Sequence, residues 1–312
     1  MLGAVAHRGG SLVQRPELTI GVKQAISRST GLDLDLVTRQ PLDRRDATRR
    51  QHDTRVAEPV APAPRRLLPA FDEGVDLRVG TLDDEGRAHW HFPTSWSSGS
   101  GDHFEGRSGP VHDFAFRLPP AFDEITLVLA WPEIGFPETT VTLPLPDRAT
   151  ADRATRSVWD APVSAVATAE RFEHHVAASC PEVDVETGTS AAAPQVLHRS
   201  DHAAIVLTRL TVVDRTTLSV GLASSARGDA AQAIRADTSR GTDSAPAIAV
   251  VADGKAFWVR SHSGSASGGA HGHSGSQDFL LPRPHDDVLD LLVAWPRAGL
   301  GEARARIPLD SP

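Results

Sequence analysis

The chain is poor in the residue types that support several common site chemistries. It has one cysteine, Cys180, and no tyrosine. A single cysteine excludes an intramolecular disulfide and a zinc cluster built on cysteines. The sequence also lacks a Gly-x-Ser-x-Gly nucleophile elbow, a phosphate-binding loop and a dinucleotide fingerprint. These absences remove the commonest hydrolase, nucleotide-binding and oxidoreductase signatures.

Long apolar runs and excess positive charge are missing as well. No stretch approaches the roughly 18 apolar residues that cross a bilayer, and the start lacks the apolar segment of a secretory signal. Acidic residues outnumber basic ones by 40 to 32, which gives a net charge of −8. This balance argues against general binding to nucleic acid or to an anionic membrane. The sequence therefore predicts a cytoplasmic protein, or one that is exported without a signal.

A repeated motif is the strongest positive signal. Residues 120–145 and 284–309 align without a gap, and ten of their 26 positions are identical, including Trp131 and Trp295. Chance would give about one or two matches. Leu32, Leu34 and Leu36 align in the same way with Leu218, Val220 and Leu222, and Trp90 aligns with Trp258. The sequence thus predicts a tandem duplication of one domain.

Each copy of the motif has the pattern of a β-hairpin. Apolar residues alternate up to the tryptophan, a proline follows it, and Gly135 or Gly299 supplies the turn. We expect both tryptophans to be buried core residues. A matched glutamate, Glu138 or Glu302, follows the turn, and it is interpreted as a capping or ion-pairing residue.

The whole chain is predicted to be all-β. Each copy contains about seven short strands separated by Gly- and Pro-rich turns, which favours a two-sheet antiparallel sandwich. Residues 87–96 are predicted to form one of these strands. The strand order stays open between an immunoglobulin-like and a jelly-roll-like arrangement.

The predicted domains are copy 1 at residues 1–146 and copy 2 at 201–312. Residues 147–200 are predicted to be a flexible linker. Within it, residues 160–176 place apolar side chains on one helical stripe and predict a short helix that packs on a sandwich.

Three polar segments are predicted to be mobile loops: residues 39–66, 97–110 and 261–276. Such loops on a rigid scaffold commonly carry recognition. The binding candidates within them are charged or aromatic side chains: Arg44, Arg45, Asp102, His103, Phe104, Glu105 and Arg107. The segment 261–276, which is rich in glycine and serine and is called the Gly/Ser segment below, also contains His271 and His273. These histidines are interpreted as part of the mobile loop.

His89 and His91 are the candidate metal ligands. Residues two apart on a strand face the same side, a spacing that suits a shared divalent ion. His103, His112 or Glu105 would complete the site. The aligned Phe257 and Val259 place this face toward the core.

Two classes of function follow from these features. The first is a non-enzymatic binding or assembly protein without a cofactor, whose loops recognise another protein or a repetitive ligand. The second is a metal-dependent enzyme of the small-barrel type that uses His89 and His91. A third hypothesis is that copy 1 carries the function and copy 2 is its structural partner.

Overall fold

The computed structural model describes residues 1–41, 61–72, 74–99, 109–177, 188–213, 215–236, 245–269 and 272–310. Two compact units divide the chain. The first unit is Ala6–Asp152, and the second unit is Arg153–Pro312 together with Met1–Val5. Each unit is an all-β structure whose strands pair mainly antiparallel, and in the second unit Glu173–Val176 and Lys255–Val259 form a parallel pair.

Ten strands build the first half of the chain. They are β1 Ala4–His7, β2 Gly10–Gln14, β3 Thr19–Arg28, β4 Gly31–Arg39, β5 Arg78–Leu82, β6 Ala88–His91, β7 Ser95–Gly99, β8 Val111–Leu118, β9 Glu124–Trp131 and β10 Phe136–Pro144. One sheet has the order β1-β3-β4-β8-β7, with β2 also paired to β3, and the other has the order β10-β9-β5-β6. A 3-10 turn, η1 Pro132–Ile134, joins β9 to β10, and helix α1 Arg148–Ala154 follows.

Twelve strands build the rest. They are β11 Val166–Ala167, β12 Glu173–Val176, β13 Thr189–Ser190, β14 Gln195–Arg199, β15 Ala203–Val212, β16 Thr217–Arg227, β17 Ala247–Ala252, β18 Lys255–Val259, β19 Ser263–Gly268, β20 Gly272–Pro282, β21 Val288–Trp295 and β22 Leu300–Pro308. Their sheets have the orders β13-β15-β16-β20-β19, with β14 also paired to β15, and β11-β22-β21-β17-β18-β12. Helix α2 Gly228–Ala236 follows β16, and the 3-10 turn η2 Pro296–Ala298 joins β21 to β22.

The core of each unit lies between its two sheets. In the first unit, leucines of β4 and phenylalanines of β8 form one buried cluster with Leu127 and Leu129 of the other sheet. In the second unit, Val220 of β16 packs in the same cluster as Leu291 of β21. The alternating apolar residues thus face inward from both layers, and the predicted sandwich is confirmed.

The two hairpins that share the repeated motif have the same local geometry. Trp131 and Trp295 have 2% and 0% of their surface exposed to solvent, as expected for core residues. Gly135 and Gly299 end the 3-10 turns with φ of 81° and 76°, a region that favours glycine. Before each hairpin, Asp123 and Asp287 have positive φ values of 66° and 51°.

The helix predicted over residues 160–176 is wrong. Val163 forms a bridge with Val196, and β11 and β12 lie in the same stretch. Val166 and Val176 are exposed, so the apolar stripe is not buried as a helix face would be. The edges of the second unit's sheet supply hydrogen-bond partners to this segment, and tertiary pairing overrides the helical spacing. The described part of the predicted linker from residue 153 onward therefore belongs to the second unit.

Two other segments also differ from expectation. Residues 87–96 form two strands in different sheets, β6 and β7, because Pro93 has no N–H to continue a ladder. The segment 261–276 is largely β19 and β20 rather than a loop. Its serines pair across the strands, with hydroxyls 2.9 Å apart in Ser265–Ser276 and in Ser267–Ser274.

Candidate functional site

The residues predicted to bind a partner fall in segments that the structure does not describe. Positions 44, 45, 102–105 and 107 lie outside the described residues, as do Cys180 and His271. Those predictions therefore stay predictions. His273, by contrast, lies on β20, where its ring centroid is 5.8 Å from that of Trp295.

His89 and His91 lie on β6 at the edge of the first unit's four-stranded sheet. Nε2 of His89 is 2.8 Å from Oδ2 of Asp83, and Nε2 of His91 is 3.1 Å from Oγ1 of Thr81. His91 is half-buried and pairs with the buried Val79 on the core side of the sheet, whereas the side chain of His89 is 61% exposed. The expected placement toward the core therefore fits His91 alone.

The surroundings of β6 lower the pKa of His91 and that of Asp83. Burial lowers the pKa of His91, and the neighbouring His89 lowers it further. A backbone hydrogen bond from Arg87 lowers the pKa of Asp83, and the hydrogen bond with His89 adds to the effect. No group of three or more His, Cys, Asp or Glu side chains suited to a metal is found in the described part of the chain. Of the other suggested ligands, His103 and Glu105 lie outside it. His112 lies on β8, in the other sheet of the unit, with its ring centroid 5.4 Å from that of Trp131.

The edge that β6 forms is the main difference between the two units. In the second unit, the equivalent strand β18 pairs in parallel with β12, from Glu173↔Lys255 to Val176↔Trp258. The other edge of that sheet is covered by β11. The first unit's sheet has four strands instead of six and ends at β6 and β10 within the described residues. An edge strand carries unpaired backbone donors and acceptors, which can pair with an added strand.

Side chains also hold β12 in place. The indole Nε1 of Trp258 donates to Nδ1 of His174 at 2.9 Å, and the two rings stack. His175 stacks on Phe257 with ring centroids 5.3 Å apart. Nε2 of His174 is 3.9 Å from Glu302.

The matched glutamate of the first unit holds a different segment. Glu138 accepts hydrogen bonds from the backbone N–H groups of Arg66, Leu67 and Leu68 at 2.6–2.9 Å. The indole of Trp90 donates to the carbonyl of Leu67 at 3.3 Å. Residues 66–68 thus contact Glu138 of β10 and Trp90 of β6, the two edge strands of the sheet, and we call these residues the crossing segment. In the second unit, the aligned Trp258 and Glu302 both contact His174 of β12. Glu138 is a positioning residue, as its interpretation as a capping group predicts.

A second glutamate contacts Arg65, the residue before the crossing segment. The carboxylate of Glu133 binds the guanidinium of Arg78 at 2.6 and 2.7 Å and that of Arg65 at 3.2 Å. Burial acts to raise the pKa of Glu133, but the hydrogen bonds and charge of Arg78 together with backbone hydrogen bonds outweigh burial, and the pKa is lowered. Charge pairing through Glu133 thus links the start of β5 to the segment around Arg65.

Large aromatic side chains are exposed beside this edge. Phe92 directly follows β6 and is 92% exposed, and Trp96 of β7 is 58% exposed. The crossover between them is anchored, because Thr94 donates to the carbonyl of Ala115 through both its N–H and its hydroxyl. Aromatic residues of this size are enriched at protein interfaces.

The second unit lacks these aromatics. The residues equivalent to Phe92 and Trp96 are Arg260 and Gly264. Sequence reasoning missed the pair because it treated residues 87–96 as one buried strand. The available signal was an aromatic residue before Pro93, where a strand has to end.

Comparisons with known proteins give no family. No family model and no curated protein matches the chain. Among solved structures, it is similar to a conserved domain protein from Bacillus anthracis, with 9% identity and a TM-score of 0.22 over 93% of this chain and 76% of that one. No helix among the described residues is both long and apolar enough to span a membrane.

Proposed function

We propose that the chain is a non-enzymatic binding or assembly protein whose first unit receives an extended segment of a partner protein along β6. One observation carries the proposal. The equivalent edge of the second unit is paired with β12, whereas β6 ends its sheet within the described residues. The second unit thus gives an internal example of how such an edge accepts a strand.

The chemistry of the edge suits a peptide rather than a small substrate. Strand addition gains affinity from main-chain hydrogen bonds, and pockets or aromatic groups along the strand give specificity. Phe92 lies at the end of β6, where an added strand would cover it. A partner that buries it would gain about 1.5–3 kcal/mol from this side chain alone.

A tandem duplication accounts for the asymmetry between the units. Both units keep the same strand order in their shared strands, while only the second has β11 and β12 on its sheet edges. We infer that duplication supplied two similar scaffolds and that the first became the copy that binds a partner. Arg44, Arg45 and residues 102–107 follow β4 and β7 of this same unit in the sequence, and we keep them as candidate binding residues.

The experiment uses capture of partners by the full chain, with a matched pair of variants. Phe92→Arg copies the residue of the second unit, and Phe71→Arg changes an equally exposed phenylalanine of the first unit. We expect Phe92→Arg to weaken binding of the captured protein by at least about tenfold and Phe71→Arg to leave it unchanged. Hydrogen exchange on the complex should show new protection of the β6 amides. Equal binding by both variants, or β6 amides that stay unprotected, would contradict the proposal.

The metal-dependent alternative makes a different prediction. If His89 and His91 hold a catalytic divalent ion, protein purified without a tag contains one ion per chain, and His89→Ala loses it. Our proposal expects no stoichiometric metal and the same partner binding in His89→Ala as in the parent chain.

A further inference from the structure

A hollow of about 500 Å³ lies on the outer face of the second unit. It is lined by Trp159, by Arg227 and Ser225 of β16, by Ser267 and Ser274 of the β19–β20 hairpin, and by the hairpin's glycines. We propose that this hollow binds a small hydroxylated organic anion, the chemistry of a sugar acid. The site is separate from the β6 edge and does not depend on the function proposed above.

Arg227 supplies the positive charge. Its guanidinium carbon lies 4.1 Å from the centroid of the Trp159 ring, and its Nε donates to the carbonyl of Asp201 at 2.9 Å. No carboxylate among the described residues pairs with Arg227, although it is exposed. The stack and the Nε bond orient the guanidinium, whose terminal N–H groups suit a carboxylate in bidentate geometry.

Three hydroxyl groups lie in a row beside this charge. Ser225 is paired in register with Ser274, and Ser274 with Ser267. The hydroxyls of Ser267 and Ser274 are 2.9 Å apart, so each retains capacity for a further hydrogen bond. Hydroxyl groups that donate and accept next to an aromatic ring are suited to the alternating polar and apolar surface of a sugar.

The walls of the hollow are held by specific contacts. Nη1 of Arg199 donates to the carbonyls of Val158 and Ala161 at 2.8 and 2.7 Å, which fixes the segment that carries Trp159. On the opposite side, Nη1 of Arg235 donates to the carbonyl of Gly269 at 3.2 Å. Among the described residues, apart from its chain neighbours, none has a heavy atom within 4 Å of a Cβ placed at Gly269. These hydrogen bonds fix two of the backbone segments that line the hollow.

The fold itself does not require this arrangement. The alignment of β4 with β16 places Arg39 opposite Ser225 and Pro41 opposite Arg227. The first unit thus keeps the strand with an arginine in place of the Ser225 hydroxyl and a proline in place of Arg227. A feature that the scaffold does not need is a better candidate for ligand binding than for stability.

Calorimetric titration of the full chain with glucuronate, galacturonate and gluconate tests the proposal, with glucose and acetate as neutral and simple-anion comparisons. We expect at least one acid to bind about tenfold or more tightly than glucose or acetate, and its binding to weaken as salt is added. Arg227→Gln should weaken that binding about tenfold or more. Arg260→Gln, which removes an exposed charge of the same unit away from the hollow, should not.

A second pair of variants tests the hydroxyl row. Ser274→Val should weaken binding of the acid severalfold, whereas Ser265→Val, on the same exposed strands but outside the hollow, should leave it unchanged. The proposal is overturned if none of the three acids binds, if glucose or acetate binds equally well, or if Arg227→Gln and Arg260→Gln behave alike.

Discussion

Glu138 and Glu302 occupy the same position in the two repeated hairpins, but their partners differ. The carboxylate of Glu138 accepts three backbone N–H groups of the crossing segment, and Leu68 within that segment is buried. Among the described residues, the charged side chain of Glu302 has one ion-pairing neighbour, His174, at 3.9 Å. The same residue therefore contributes differently to the two units.

We predict that Glu138→Ala lowers the free energy of unfolding of the first unit by about 1–3 kcal/mol, because three amides lose their acceptor. Glu302→Ala should change the second unit by less than about 1 kcal/mol, since an exposed ion pair contributes little. Urea unfolding of both variants measures the difference. Equal losses would contradict the positioning role of Glu138.

At the scale of single elements, the sequence predicted buried alternating strands well and edges poorly. The alternation in residues 125–131 and 289–295 correctly gave β9 and β21, because burial on one face imposes the period of two. The segment 160–176 and the crossover at Phe92 were missed. Their conformation depends on which sheet edge lies next to them, and no local pattern encodes that neighbour.

The Gly/Ser segment of the second unit shows the same limit. Its composition is typical of a mobile loop, yet β19 pairs with β20 from Ser263↔Asp278 to Gly268↔His273. Strand pairing with β20 and the serine hydroxyl pairs replace the apolar contacts that sequence patterns detect. The candidate loop residues of the first unit were chosen by the same compositional reasoning, and they remain untested.

If this segment is a true hairpin, residues with higher strand propensity should stabilise it. We predict that the double substitution Ser265→Thr and Ser276→Thr raises the free energy of unfolding of the second unit by about 0.5–1 kcal/mol. Both side chains are exposed and directly opposite, so the added methyl groups meet no core residue. Urea unfolding provides the measurement, and a loss of stability would favour the loop interpretation.

For the whole molecule, partly buried histidines couple stability to pH. Burial is the largest cause of a lowered pKa at five of them: His7, His91, His112, His198 and His273. Each binds a proton more readily in the unfolded chain, where its pKa is about 6.5. Their neutral forms are therefore favoured by folding.

The sign of the pH dependence follows from linkage. Well above pH 6.5 these histidines are neutral in both the folded and the unfolded state, so they do not reduce the free energy of unfolding. Below that pH the unfolded state takes up protons first, so the free energy of unfolding falls as the pH falls toward 5. Urea unfolding at several pH values should show this decline, and His112→Gln should make it shallower. Stability that rises between pH 6.5 and pH 5 would contradict the expected direction.

Amide hydrogen exchange on the free full chain tests the central claim about the two sheet edges most directly. The β18 amides, covered by β12, should be protected nearly as well as those of the inner strand β17. The β6 amides should exchange about tenfold or more faster than those of its inner neighbour β5. The contrary result is a β6 that exchanges nearly as slowly as β5, as β18 does relative to β17. In that case the edge of β6 is already occupied and the proposed binding surface does not exist.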